Sequence, residues 1–232
     1  MLGIGAAGGL ALATWAWGAY APNSRMFGPV TGRGPRKRVA FLTFDDGPNP
    51  AVTELVLDVL AREGVPATFF MVGRHVERYP ATARAVARAG HEIGNHSHTH
   101  PMLCFRSAAF MEAELRRAQD CIEARTGATP TLFRAPFGVR WFGIGGVQRR
   151  LRLTGVMWTI IGYDWSRKVD QVVERITQRT ANGAILCLHD GRELRAKPDI
   201  GVTVETVQRL VPMLLDRGYS FKTVSQLLCP TI

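Results

Sequence analysis

The sequence predicts an α/β fold built from parallel β-α-β units, either a small barrel or a doubly wound sheet. Two observations predict it. From Arg38 onward, short apolar runs rich in β-formers alternate with segments of helical periodicity. Polar residues cluster just after those runs, where a parallel fold brings its strand ends to one face. Composition agrees: 232 residues, 46% hydrophobic, are enough for one domain with a sizeable core and exclude a disordered or collagen-like chain.

The first strand is VAFLTF, Val39–Phe44. Asn49 can cap the helix that follows, and Pro50 fits its first turn. Val52, Leu55, Val56, Val59 and Leu60 fall on one helical stripe, which Gly64 and Pro66 stop. ATFFMV, Ala67–Val72, is the second strand. A helix over Pro80–Ala89 closes at Gly90, and HEIG (91–94) is the third strand. Ser107 opens a longer helix that carries Met111, Leu115, Ala118 and Ile122 on one face and ends at Gly127. TLFR (131–134), GVMWTI (155–160), AILCL (184–188) and YSFKTV (219–224) complete seven strand candidates. No repeat or internal linker divides this region, so residues 38–232 are read as one domain.

Ahead of it, residues 1–24 are apolar and free of charge, about the roughly 20 residues a membrane span needs. Trp15, Trp17 and Tyr20 sit where an interfacial aromatic belt would. The segment lacks the basic start of an export signal, and Pro22 obstructs cleavage after Ala21. A basic linker over 25–37 follows. The basic tract of Arg33, Arg36, Lys37 and Arg38 favours a cytoplasmic side by the positive-inside rule, against the exported location that the chemistry below favours. The expectation is an anchor carrying an exported domain, with a Gly/Ala-rich helix packed on the domain as the competitor.

Lys and Arg number 29 against 19 Asp and Glu, a net charge of +10. That suggests an anionic partner without naming one. No aromatic-and-basic motif or helix-turn-helix pattern accompanies it, so no nucleic acid is expected. Cys104, Cys121, Cys187 and Cys229 form no C-x-x-C, which argues against a cysteine zinc site or a redox dithiol. They are read as packed or unpaired thiols, with one or two disulfides in an oxidising compartment as the alternative.

The polar clusters carry the chemistry. Asp45-Asp46 follow the first strand, Asn95-His96-Ser97-His98-Thr99-His100 the third, Arg134-Ala135-Pro136-Phe137-Gly138 the fourth, Asp164-Trp165 the fifth and His189-Asp190 the sixth. His96 and His100, four residues apart, can bind one divalent ion, and Asp46 completes the His₂-carboxylate set of a catalytic zinc site. Asp45 is then free as a general base, His189 as a general acid, and Arg134 can keep Asp45 ionised. Such a constellation hydrolyses an amide or ester. Singly, each cluster except Asp45-Asp46 is explained by turn chemistry or as an exposed polar residue. Five at five strand ends define a site. His75, His91 and His98 show no partner and are read as surface or wall residues, and Arg116-Arg117 and Arg149-Arg150 as solvated faces.

Thr43-Phe44-Asp45-Asp46-Gly47-Pro48, His96-Ser97-x-Thr99-His100, Arg134-x-Pro136-Phe137-Gly138, Asp164-Trp165 and Leu188-His189-Asp190 resemble, in order and spacing, the motifs of the polysaccharide deacetylases, the NodB-homology enzymes of carbohydrate esterase family 4. The resemblance covers roughly Val39 to Leu228. It implies a distorted (β/α) barrel with about seven parallel strands, here preceded by an N-terminal apolar helix. It implies metal-dependent removal of N-acetyl groups from an N-acetylglucosamine-containing polysaccharide, peptidoglycan or chitin-like, at the cell envelope. By that likeness Asp46, His96 and His100 hold a divalent metal, zinc first, with cobalt or nickel as alternatives. Asp45 is the base and His189 the acid, acting on a water held by the metal, while Arg134 orients Asp45. The Phe137 N–H beside Pro136 holds the oxyanion, Trp165 walls the groove, and Asp164 and Cys187 line the substrate site. Two positions depart from the family. Ile161 stands where an Asp is often found supporting the catalytic His, so either His189 titrates differently or Asp164 substitutes. Cys187 replaces a Leu of the acetyl pocket, which implies a wider pocket. Two alternatives stay open: a small-molecule hydrolase of cyclic amides or imides on the same fold, and a non-catalytic glycan-binding protein.

Overall fold

The computed structural model describes residues 14–21, 24–192 and 201–228. Helix α1 covers residues 14–20. Then follow β1 (Val30–Thr31), β2 (Val39–Asp45), α2 (Pro50–Glu63), β3 (Thr68–Met71), α3 (Gly73–Arg78), α4 (Pro80–Arg88) and β4 (Glu92–Asn95). The second half holds α5 (Ala108–Thr126), β5 (Leu132–Phe133), a 3₁₀ turn (Pro136–Gly138), α6 (Ile144–Leu151), β6 (Thr154–Val156), β7 (Ile160–Ile161), α7 (Val169–Arg179), β8 (Ala184–His189), α8 (Gly201–Asp216), β9 (Ser220–Phe221) and α9 (Ser225–Leu228).

Every strand pairing among the described residues is parallel. The order is β1-β6-β5-β4-β3-β2-β8-β7, with β9 on the start of β2. The expected strand GVMWTI is broken in two. Its first part, β6, pairs with β5, and its last part, β7, pairs with β8 at the far side of the sheet. Between them Met157 N–H donates to the Thr31 carbonyl and Thr159 N–H to the Ile185 carbonyl. One segment therefore stands at both sides of the sheet, which curls into a distorted barrel.

Strand alternation sorts the core. Phe41, Phe70, Leu132, Val156 and Ile185 fill the barrel interior. Leu42, Phe44, Leu186, Val56 and Leu210 pack between the sheet and its outer helices. Asn49 accepts the Ala51 N–H and Gly64 closes α2 in a left-handed cap, as the sequence predicts. Ser107 and Gly127 do the same for α5.

Leu55 is corrected: it is 51% exposed, and Thr53 takes a buried place on α2, its hydroxyl donating to Asp190 Oδ2 at 2.5 Å. Of YSFKTV only Ser220–Phe221 pairs as strand, and the third strand sits one residue later than HEIG. The sequence reading missed β1, α3 and α6. Residues 25–37, read as linker, lay β1 along β6 and are held by Gln148 Nε2 on the Pro29 carbonyl and Thr159 Oγ1 on the Gly32 carbonyl. The buried Arg140 donates to the carbonyls of Gly18, Ala21 and Ser24, satisfying the end of α1. Cys104, Cys121 and Cys187 are free thiols, and Cys229 lies outside the described residues.

Leu60 is fully packed in the outer core and Leu55 is not, so the two should separate in urea unfolding. Leu60→Ala is expected to lose about 2–5 kcal/mol, and Leu55→Ala to change stability by no more than about 0.5 kcal/mol.

Candidate active site

The C-terminal ends of β2, β4, β5, β7 and β8 deliver the five polar clusters to one mouth of the barrel. β2 ends at Asp45, and Asp46 turns away in the left-handed region at φ 70°. Gly47 is required next, because a Cβ there would collide with the Asp190 carboxylate. His100 (φ 55°) and Phe137 (φ 58°) adopt the same costly backbone. Strain of this kind collects at functional sites.

Arg134 is fully buried and points across the mouth. Its Nη1 donates to Asp45 Oδ1 at 2.6 Å and Thr43 Oγ1 at 2.8 Å, and its Nε to the Val156 carbonyl at 3.3 Å. The guanidinium lies 4.2 Å from the Phe70 ring centroid. The Arg134–Asp45 contact is a buried, charge-assisted pair.

Asp46, His96 and His100 fit a divalent ion. His96 Nδ1 lies 2.8 Å from the Arg134 carbonyl, which can only accept, so Nδ1 carries the proton. Its Nε2 then presents a lone pair to Asp46 Oδ1 at 3.3 Å, and His100 Nε2 stands 3.1 Å from the same oxygen. Ligands at 2.0–2.1 Å from one tetrahedral ion stand roughly 3.3 Å apart, so this convergence of donors suits a cation. Burial pushes the Asp46 carboxyl up, but with no ion bound the His100 and His96 imidazoles turned toward it outweigh burial and hold the group well below the usual range.

His75 is a correction. It is buried, and its Nδ1 donates to the Asp46 carbonyl oxygen at 2.7 Å. Burial holds its pKa below the ordinary histidine value, which suits a neutral donor. It steadies the left-handed backbone of Asp46 through a contact that no local motif announces. His98 is likewise buried, its Nε2 3.7 Å from Glu77. His91 Nδ1 accepts the Ala67 N–H at 3.3 Å.

On the other side stands His189. Asp164 Oδ1 accepts from its Nδ1 at 2.9 Å, while Asp164 Oδ2 accepts from the His189 N–H and from Thr203 Oγ1, each at 2.7 Å. Burial pulls the His189 pKa down, but Asp164, aided by Asp46 and Asp45, raises it to about 9. The Trp165 ring stands edge-on to the imidazole at 4.5 Å. Asp164 therefore partners His189, and Ile161 leaves no gap in its support.

These groups open on a cavity of about 520 Å³, lined among others by Asp45, His100, Phe137, Trp165 and His189. Tyr20 of α1 and Ile161 also reach its wall. The Phe137 N–H has no hydrogen-bond partner among the described residues. Cys187, expected in the acyl pocket, is fully buried, its Sγ 3.5 Å from Asp45 Oδ2.

A sequence model described as polysaccharide deacetylase matches residues 32–154. The chain is 37% identical over 211 residues to a chitooligosaccharide deacetylase of Bradyrhizobium sp. (strain ANU 289), across 88% of this chain and 94% of that protein. Among solved structures it resembles the peptidoglycan deacetylase PdaC from Bacillus subtilis, with TM-score 0.74 and 33% identity over 84% of this chain and 91% of the other. It also resembles BA3943 of Bacillus anthracis, described as a pseudoenzyme of the CE4 family, with TM-score 0.79 and 26% identity over 86% and 69% of the two chains.

Arg134→Met removes the only cation bonded to Asp45 among the described residues. Urea unfolding at neutral pH should show a loss of about 3–5 kcal/mol, the cost of stranding a buried charge.

Proposed function

The chain belongs to the polysaccharide deacetylase family, and from that premise we propose that it hydrolyses the N-acetyl groups of an N-acetylglucosamine-containing polymer of the cell envelope. The observation that carries this reading is the placement of Asp45 and His189 together on the wall of one cavity, with Asp46, His96 and His100 beside them. A divalent ion held by these three, zinc or alternatively cobalt or nickel, supplies Lewis-acid polarisation of the acetyl carbonyl and acidifies water.

The chain's own groups do the rest. Asp45 Oδ1 is fixed by Arg134, so Oδ2 is the atom that takes a proton from the attacking water. The carbonyl carbon gains the water oxygen while its own oxygen gathers charge, and the free Phe137 N–H stands at the cavity wall to receive it. His189 Nδ1–H is committed to Asp164, so Nε2–H is the proton that passes to the leaving amine as the C–N bond breaks. Acetate and a free amine leave, and proton exchange through the cavity resets Asp45 and His189. Trp165 offers an aromatic wall to a sugar ring.

Peptidoglycan and chitin-like polymers are the substrate classes suggested by the names of the relatives. Membrane attachment through residues 1–24 belongs to the same proposal. Among the described residues no helix is long and apolar enough to cross a membrane, and residues 1–13 lie outside them. The likeness to BA3943 raises a non-catalytic reading, against which Asp45, Asp46, His96, His100 and His189 all stand in place.

The test is acetate release by the zinc-loaded chain from chitin oligomers and peptidoglycan in parallel. Release from either is expected, and chelation should abolish it. Asp45→Asn should cut turnover by about 10²–10⁴-fold, and undiminished activity would remove Asp45 from the base role. An acid must be protonated to act, so turnover should fall as pH rises through about 9. In Asp164→Asn the histidine loses its main raising partner, and that fall should move to lower pH in a kcat profile.

A further inference from the structure

A second donor set lies on the acid side of the cavity. Asp45 Oδ1 is committed to Arg134 at 2.6 Å, which leaves Oδ2. His189 Nδ1 is committed to Asp164 at 2.9 Å, which leaves Nε2. Cys187 Sγ stands 3.5 Å from Asp45 Oδ2. All three residues can present one ligand atom within 4.8 Å of the others. Each charged or aromatic ligand already has an outer partner holding its far atom, the arrangement that orients good metal ligands.

We infer that Asp45, Cys187 and His189 form a second metal site, separate from Asp46, His96 and His100, which takes a thiophilic divalent ion and stops the enzyme when filled. One sulfur, one imidazole nitrogen and one carboxylate oxygen favour zinc, cobalt or cadmium over magnesium or calcium. On binding, Cys187 loses its S–H proton and His189 its Nε2 proton, both to solvent, and sulfur–metal and nitrogen–metal bonds form with no change of oxidation state. The ion occupies Asp45 Oδ2 and His189 Nε2, the two atoms that must move protons. Metal therefore activates at one equivalent and inhibits beyond it. The inhibitory half rests on the proposed roles of Asp45 and His189, whereas the metal site itself does not.

The full chain, stripped of metal, is titrated with cobalt(II) while absorption and acetate release are followed together. The first equivalent is expected without a thiolate band. Further cobalt should bring in a sulfur-to-cobalt charge-transfer band as turnover falls by roughly 10²-fold. Cys187→Leu and Cys187→Ser should lack the band and keep, in excess cobalt, the activity each shows at one equivalent. Asp46→Ala should retain the band. Absence of the band at every excess, or a band that survives both Cys187 variants, overturns the site. Equal inhibition of the wild type and both variants by excess cobalt overturns the inhibitory role. A band that appears without any acetate release at any stage leaves the site standing and sinks the deacetylase reading.

Discussion

The buried Arg134 guanidinium sets the geometry on which the rest of the molecule depends. It starts from the end of β5 and reaches Thr43 and Asp45 on β2, three steps away in the sheet order. Strands lie about 4.8 Å apart, so a flat sheet would separate the two by roughly 14 Å, beyond the reach of an arginine. The pair exists because the sheet curls. A charge taken out of water must be matched by geometry, and here two side-chain oxygens, a backbone carbonyl of β6 and the face of Phe70 provide the match.

From that constraint the two sides of the site follow. Asp45 and His189 are register partners on the adjacent strands β2 and β8, so their backbones fall side by side. Their environments are opposite. Asp45 is given a cation, Arg134, and His189 is given an anion, Asp164. A carboxylate set beside a cation and an imidazole set beside an anion suit the proposed base and acid roles. Cys187, two residues before His189, faces the same interior and puts a thiol between these functions.

The parts that escaped the sequence share a cause: each depends on a partner distant in the chain. His75 carries no motif, and its bond to the Asp46 carbonyl spans 29 positions. Leu55 satisfies the helical stripe, yet Thr53 is buried because Asp190, 137 positions away, accepts its hydroxyl. The break inside GVMWTI is invisible to composition, since Val156, Trp158, Thr159 and Ile160 on both sides of it are good strand formers and only the neighbours differ on its two halves. β1 is two residues long, too short for any period to show. The 25–37 stretch is basic like a linker, but its backbone groups are taken by Gln148 and Thr159.

What the sequence determined by itself is the class of fold and the inventory of the site. Apolar runs rich in β-formers alternating with helical periodicity specify parallel units, and parallel units place Asp45, Asp46, His96, His100, Arg134, Asp164 and His189 at one end of the strands. Those signals are local, so they can be read along the chain. Only the tertiary structure decided which atoms meet: Asp164 rather than a residue at 161 under His189, a thiol beside Asp45 rather than on the cavity wall, and a histidine holding the backbone of Asp46. Hydrogen bonds act over about 3 Å and in fixed directions, and that precision is created by the curvature of the sheet and the packing of its interior, neither of which any local stretch of sequence encodes.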